Sequence, residues 1–127
     1  MEQFFVFITG ACGYGLIEII WRGYTHWTME FVGGLCFLIL YYVFDYMSEK
    51  PLVLKCLAGS LIITTVELIS GILINIVFSL DVWDYSDMPY NFLGQVCLFY
   101  SVMWFFLSGV TVYFVKLIKE KAFKRLI

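Results

Sequence analysis

Residues 52–78 read LVLKCLAGSLIITTVELISGILINIVF. A helix needs about 20 mostly apolar residues to cross the hydrocarbon core of a bilayer. This run exceeds that length and carries one acid, Glu67, well inside it. A helix apolar on every side is either the core of a large protein or a membrane span. With 127 residues, the chain is long enough for one domain and too short to surround such a helix with protein.

Working outward, three more stretches match it: about 3–21, 28–47 and 89–117. The whole chain is 62% hydrophobic and 14% charged, against about half and about a quarter in soluble domains. The expectation is an all-α membrane protein of four transmembrane helices. It forms a single domain over 1–127, with a basic tail over 118–127. Residues 1–21 lack a basic n-region and stay apolar too long for a signal peptide, so they read as a retained first helix. Pro89 suits the first turn of the fourth span.

Seven of the eight Lys and Arg residues lie in the 48–55 region or from Lys116 onward. Only Arg22 lies on the other side. Basic residues stay cytoplasmic, so both termini are expected in the cytoplasm of a multi-pass plasma-membrane protein. Trp21, Trp27, Trp83, Tyr85 and Tyr90 would then form an outer interfacial belt. The tail KLIKEKAFKRLI would lie on the anionic inner leaflet. A net charge of −2 gives no reason to expect a nucleic-acid partner.

The chain also resembles itself. EFVGGLCFL (30–38) aligns with NFLGQVCLF (91–99), pairing Phe31 with Phe92, Gly33 with Gly94 and Cys36 with Cys97. Spans one and three carry similar faces at helical spacing: Ala11, Gly15, Glu18, Arg22, and Ser60, Thr64, Glu67, Gly71, Asn75. The pattern predicts two helical hairpins related as a parallel repeat, with a site at their interface. Small residues allow close approach, so spans one and three are expected to touch there. Glu18 and Glu67 fall at equal depth, roughly 22 Å into their spans.

A charge at a helix centre costs at least about 2.5–3.5 kcal/mol on insertion scales. Glu18 has Arg22 four residues on, the favourable order for an ion pair. That pairing could be all there is to it. Glu67 has no basic partner in its own span. It could pair with Arg22 or His26, bind a cation, or hold a proton. Glu30 either complements the dipole of the second helix or joins the cluster. Asn75, Asn91 and Gln95 offer neutral polar contacts. Asp81, Asp84 and Asp87 make the long connector acidic: a solvated loop, with Asp87 near a cap, or a funnel for cations. His26, the sole histidine, could complete an oxygen-rich metal site with Glu18, Glu30 and Glu67. Which metal, if any, the residues leave open, and they name no cofactor. Cys12, Cys36, Cys56 and Cys97 form no CxxC pair and read as small buried hydrophobes.

The strings GYGLIEIIWRG (13–23) and WDYSDMPYNFLGQVCLFYSVMWF (83–105), with the glutamate of span three, resemble the CmpB-like family of small bacterial membrane proteins grouped as type IV ABC transporters. The strongest part is Trp83-Asp84-Tyr85-Ser86 followed by Asn91, Gly94 and Gln95. This chain departs from the family in its shorter first connector. The resemblance implies transport, and it brings no catalytic residues. The chain has no Walker A loop, and four spans are few for an ABC permease, so any ATPase would be a separate chain.

The expected function is a small transporter or transporter subunit. It would bind a cation, a proton or a cationic small molecule through Glu18, Arg22, His26, Glu30, Glu67, Asn75, Asp84, Asn91 and Gln95. The alternative is a membrane binding or assembly module, working as a homo-oligomer or with another membrane subunit. In that case the polar cluster only fixes packing. A lipid-directed enzyme ranks last, for want of a nucleophile.

Overall fold

A computed structural model describes residues 1–122. Helix α1 spans Glu2–Arg22, α2 Trp27–Tyr46, α3 Leu52–Gly71 and α4 Leu98–Leu117. α3 runs on as a π-helical turn over Ile72–Val77, and α4 as another over Ile118–Ala122. All four helices are long and apolar enough to cross a membrane. The protein is therefore a multi-pass membrane protein, as its composition required.

The stops are chemically marked. α1 ends at Gly23, whose left-handed φ of 85° returns its N–H to Ile19. α2 starts at His26, whose Nδ1 accepts the Thr28 N–H. Pro51 precedes α3 and ends the turn after α2.

α1 packs on α2 and α3 on α4, giving two antiparallel hairpins, and α2 joins them through α3. The core sits toward the end of the bundle near the chain termini, around Val6, Leu40, Tyr41, Phe44 and Val115. Close approach within each hairpin comes from small residues. A Cβ added at Gly33 would sit 2.5 Å from Tyr14, and one at Gly59 would run into the Ser108 hydroxyl.

Three expectations change here. Spans one and three are not a packed pair. Ser60 donates to the Ser101 carbonyl at 2.6 Å and Thr64 meets the Ser101 hydroxyl at 2.8 Å, so this face of α3 looks at α4. Gly15 faces Glu30 of α2. The small-residue faces hold each hairpin together rather than joining the two.

Secondly, the fourth helix begins at Leu98, not at Pro89. Residues 91–97 form a hairpin, Asn91–Phe92 (β1) against Val96–Cys97 (β2), with Asn91 opposite Cys97. Tyr90, Leu93 and Gly94 all have positive φ, which an α-helix cannot contain. The Asn91 side chain binds the Ser86 and Met88 carbonyls and the Gly94 N–H. These local bonds compete with a helix. The aligned segments 30–38 and 91–99 therefore differ in conformation, helix in one and hairpin in most of the other. Asp87 caps no helix.

Thirdly, Trp83 and Tyr85 are not belt residues. Trp83 is buried, and the Tyr85 hydroxyl reaches Glu67. The connector 79–97 folds back along the end of α3 into the bundle. A Cβ on Gly71 would lie 2.6 Å from Gln95 Oε1 and 3.1 Å from the Trp83 ring. Only glycine admits this approach. Non-helical backbone at membrane depth is tolerated where protein or a wet cavity surrounds it, and here α3 and the connector's own bonds provide that setting.

One residue of the tail also departs from expectation. Lys119 is buried, 2.6 Å from Asp45 and 4.7 Å above the Tyr41 ring, while the Tyr41 hydroxyl donates to Glu2. It packs into the bundle instead of facing lipid headgroups. Lys124 and Arg125 lie outside the described residues.

Candidate functional site

Glu67 sits fifteen residues into α3, and Glu18 sixteen residues into α1. At about 1.5 Å per residue their depths are nearly equal. Both are buried. Their surroundings differ.

Glu18 is neutralised. Its Oε2 lies 2.7 Å from Arg22 Nε, and its Oε1 accepts the Tyr14 hydroxyl at 2.7 Å. Arg22 also reaches the Met29 sulfur and covers the Tyr24 ring. The i,i+4 spacing built this pair, as the sequence suggested.

Glu67 meets only neutral groups. Oε1 accepts the Trp104 indole N–H at 3.2 Å, and Oε2 accepts the Tyr85 hydroxyl at 2.9 Å. Among the described residues it has no cationic partner. An indole N–H can only donate, so Oε1 is an acceptor in either protonation state. Oε2 can face a hydroxyl as acceptor or as protonated donor. This side of the site can therefore hold a proton without rearranging.

The two acids belong to adjoining cavities. A cavity of about 150 Å³ is lined by Glu18, Arg22, Tyr85 and Tyr100. A larger one, about 410 Å³, is lined by Glu67, Trp83, Met29 and many apolar side chains. Tyr14, Ile17, Trp104 and Leu107 line both. The Tyr14 and Trp104 rings stand 6.2 Å apart, and Tyr85 stacks on Tyr100 at 4.8 Å. Aromatic side chains thus form the partition between the two carboxylates.

The remaining expected residues take other positions. Asn75 donates to Gln95 Oε1 and accepts the Val82 N–H, fastening the end of α3 to the connector. Gln95 offers its carbonyl to the Trp83 indole. Asp84 accepts the Ser86 N–H and hydroxyl. These two donors hold the Asp84 carboxyl below its usual range. Asn75, Asp84, Asn91 and Gln95 therefore build the connector that carries Tyr85 to Glu67. His26 caps α2 and stacks on Trp27. Its Nδ1 must be the acceptor there, so that nitrogen is not free for a metal. Glu30 stands in the first turn of α2 with its carboxyl against Gly15. Among the described residues no three His, Cys, Asp or Glu side chains converge as a metal site would need, so the four-residue metal grouping is not assembled. Of the free cysteines, Cys36, Cys56 and Cys97 are buried and Cys12 is exposed.

The residues missed from the sequence are Tyr14, Tyr85, Tyr100 and Trp104. Tyr14 had a signal, four residues before Glu18 on the same helical face. Trp104 and Tyr85 had none, because their contact with Glu67 depends on where the connector folds.

The residues matched by one family model run from 4 to 127, essentially the whole chain, and the family is described as "Putative ABC-transporter type IV". The chain belongs to this family. Its connector, with Trp83, Asp84, Tyr85, Asn91, Gly94 and Gln95, lies within the match. No solved structure matches the chain. Family and fold together make it an ABC-transporter-related, membrane-embedded protein.

Proposed function

We propose that the protein is a small transporter or transporter subunit that binds a cation, a proton or a cationic small molecule at Glu67. One observation carries this reading: a buried carboxylate with no cationic partner among the described residues opens on a cavity. A buried acid that only held helices together would be expected to have a counter-charge, as Glu18 has. Intramembrane acids without one mark ion or substrate pathways.

In this reading both termini are cytoplasmic. The ligand enters from outside past the acidic connector and the Glu18–Arg22 pair. It passes the Tyr14–Trp104 partition to Glu67, and Glu18 exchanges Arg22 for the ligand in passing. If energy comes from ATP, a separate subunit supplies it.

The test is Glu67→Gln in reconstituted vesicles. The amide keeps an oxygen for Trp104 but loses the charge. Cation uptake or binding should vanish while the protein remains folded. Full activity in this variant would overturn the reading.

A second reading has its own support. Both oxygens of Glu67 already have donors, one of them on the connector. The acid could then serve to anchor the connector in a module that assembles with another membrane protein. That predicts a different outcome for Glu67→Gln: loss of stability and of stoichiometric co-purification with a partner, and no cation binding in the native protein.

A further inference from the structure

We infer that the ligand is a lipophilic cation, with its charge at Glu67 and its apolar body in the 410 Å³ cavity beside it. This rests on the reading of Glu67 as a cation site and names the chemical class that the site would take.

The wall of the cavity is almost wholly apolar. An inorganic ion would find little there to replace its water, since the described lining brings one carboxylate and the hydroxyls of Thr9, Tyr14 and Thr111, which already donate elsewhere. A volume of about 300–1,000 Å³ is typical of small-molecule sites lined by apolar and aromatic groups with a few polar ones. Here the polar group is an acid, so the complementary occupant carries positive charge. Trp83, Trp104 and Tyr14 bring aromatic faces and edges to the same cavity, and cations bind well over such rings.

The position of the cavity fits a ligand that partitions into lipid. It lies over α2 between α1 and α4, which meet through the side-chain contacts Tyr14–Trp104 and Trp21–Tyr100. Leu16 and Ile17 of α1 and Val110 and Phe114 of α4 both line it and are exposed on the flank of the bundle. For an amphiphile dissolved in the bilayer this flank is a second way in, beside the outer route past Glu18 and Arg22, with its apolar part leading. Neutral lipid chains would suit the wall but leave the Glu67 carboxylate unmatched.

The experiment uses the full chain in lipid nanodiscs with three probes: benzyltributylammonium, tetramethylammonium and neutral tributylbenzylsilane. Quenching of tryptophan fluorescence reports binding. Benzyltributylammonium should bind at least about tenfold more tightly than either of the other two. Each buried methylene is worth about 0.8 kcal/mol, roughly a factor of four. Glu67→Gln should cost at least about tenfold. Gly13 lines the cavity and a Cβ there meets nothing within 4 Å, so Gly13→Leu adds bulk at the wall without a clash at its Cβ, and circular dichroism checks that it folds. It should weaken benzyltributylammonium about tenfold and leave tetramethylammonium unchanged.

If Gly13→Leu has no effect while Glu67→Gln abolishes binding of both cations, the cavity assignment is overturned and the cation site stands. If Glu67→Gln changes nothing, the underlying reading fails as well. Equal binding of the silane and the ammonium would assign the cavity to neutral lipid and overturn the inference. So would a dimer across the α1–α4 seam that the ammonium does not displace.

Discussion

The Tyr85 hydroxyl donates to Glu67 Oε2 across 2.9 Å, tying a connector residue to an acid well inside α3. Val77, where the helix ends, is ten residues beyond Glu67, or roughly 15 Å along the axis. The connector must therefore return that distance into the bundle. This single bond defines the ceiling of the site.

Tyr85→Phe removes the bond and keeps the ring stacked on Tyr100. Hydrogen bonds to charged groups are worth about 1.5–3 kcal/mol. We expect a loss of about 1–2 kcal/mol in unfolding measured in mixed micelles. Hydrogen exchange over residues 79–97 should accelerate, with α1 and α2 unaffected. Unchanged exchange would mean that the bond does not hold the connector.

Gly71 and Gly13 should respond oppositely to the same substitution. Gly71→Val drives a side chain into Gln95 and Trp83. Overpacking of this kind costs about 1–3 kcal/mol. The affected region should be the connector, seen as a red shift of Trp83 emission in a variant whose other tryptophans are phenylalanine. Gly13→Val meets open space and should leave stability within about 0.5 kcal/mol of the native value. Equal losses at the two positions would contradict the connector's placement against α3.

The four spans were legible because length and apolarity suffice to recognise a membrane helix. The Glu18–Arg22 pair was legible because i,i+4 spacing is local. The connector was not. Residues 89–97 are as apolar as the start of a span, and Pro89 suits a first turn. What overrides them is a run of left-handed residues and the bonds of Asn91, neither of which hydropathy records. Glu67 has no basic partner in its own span, and among the described residues none reaches it from elsewhere. Its real neighbours were missed because Trp104 and Tyr85 meet it only through tertiary folding. The small-residue faces suggested contact between spans one and three, but those faces pack within each hairpin instead.

The hairpin turn carries a local conflict that a substitution can relieve. Phe92 accepts the Gln95 N–H, and the two central residues, Leu93 and Gly94, have φ of 56° and 71°. This is the φ pattern of a type I′ turn, which favours Asn-Gly. Leucine pays a steric penalty there. Leu93→Asn should stabilise the connector by about 0.5–1 kcal/mol, read as slower hydrogen exchange at residues 91–97. Faster exchange would mean that the Leu93 side chain is needed for packing.

Asp84 sets how the connector responds to acid. Its carboxyl is held below the usual range by the Ser86 hydroxyl and N–H. An acid with a lowered folded pKa adds stability that is complete above its unfolded value, about 3.9, and is lost as pH falls through the folded one. The Ser86 amide resonance should thus stay fixed from pH 8 to 5 and move only below about pH 4. In Asp84→Asn that acid-range movement should disappear. Movement near neutrality would assign control of the loop to another group.

Lys119 and Lys116 separate packing from membrane-surface attraction at the other end of the bundle. Lys119 is buried against Asp45 and Tyr41, while Lys116 is exposed. Losing one partner of a fully buried pair costs about 3–5 kcal/mol. Asp45 is partly exposed, which reduces this to about 1–2 kcal/mol for Lys119→Met. Lys116→Met should leave stability alone. It should weaken the preference for anionic over zwitterionic lipid by about 1 kcal/mol, the worth of one surface lysine. Lys119→Met should not change that preference, since its charge is already spent on Asp45. Stability unchanged by Lys119→Met, together with a lost lipid preference, would put Lys119 at the headgroups and undo the buried pair.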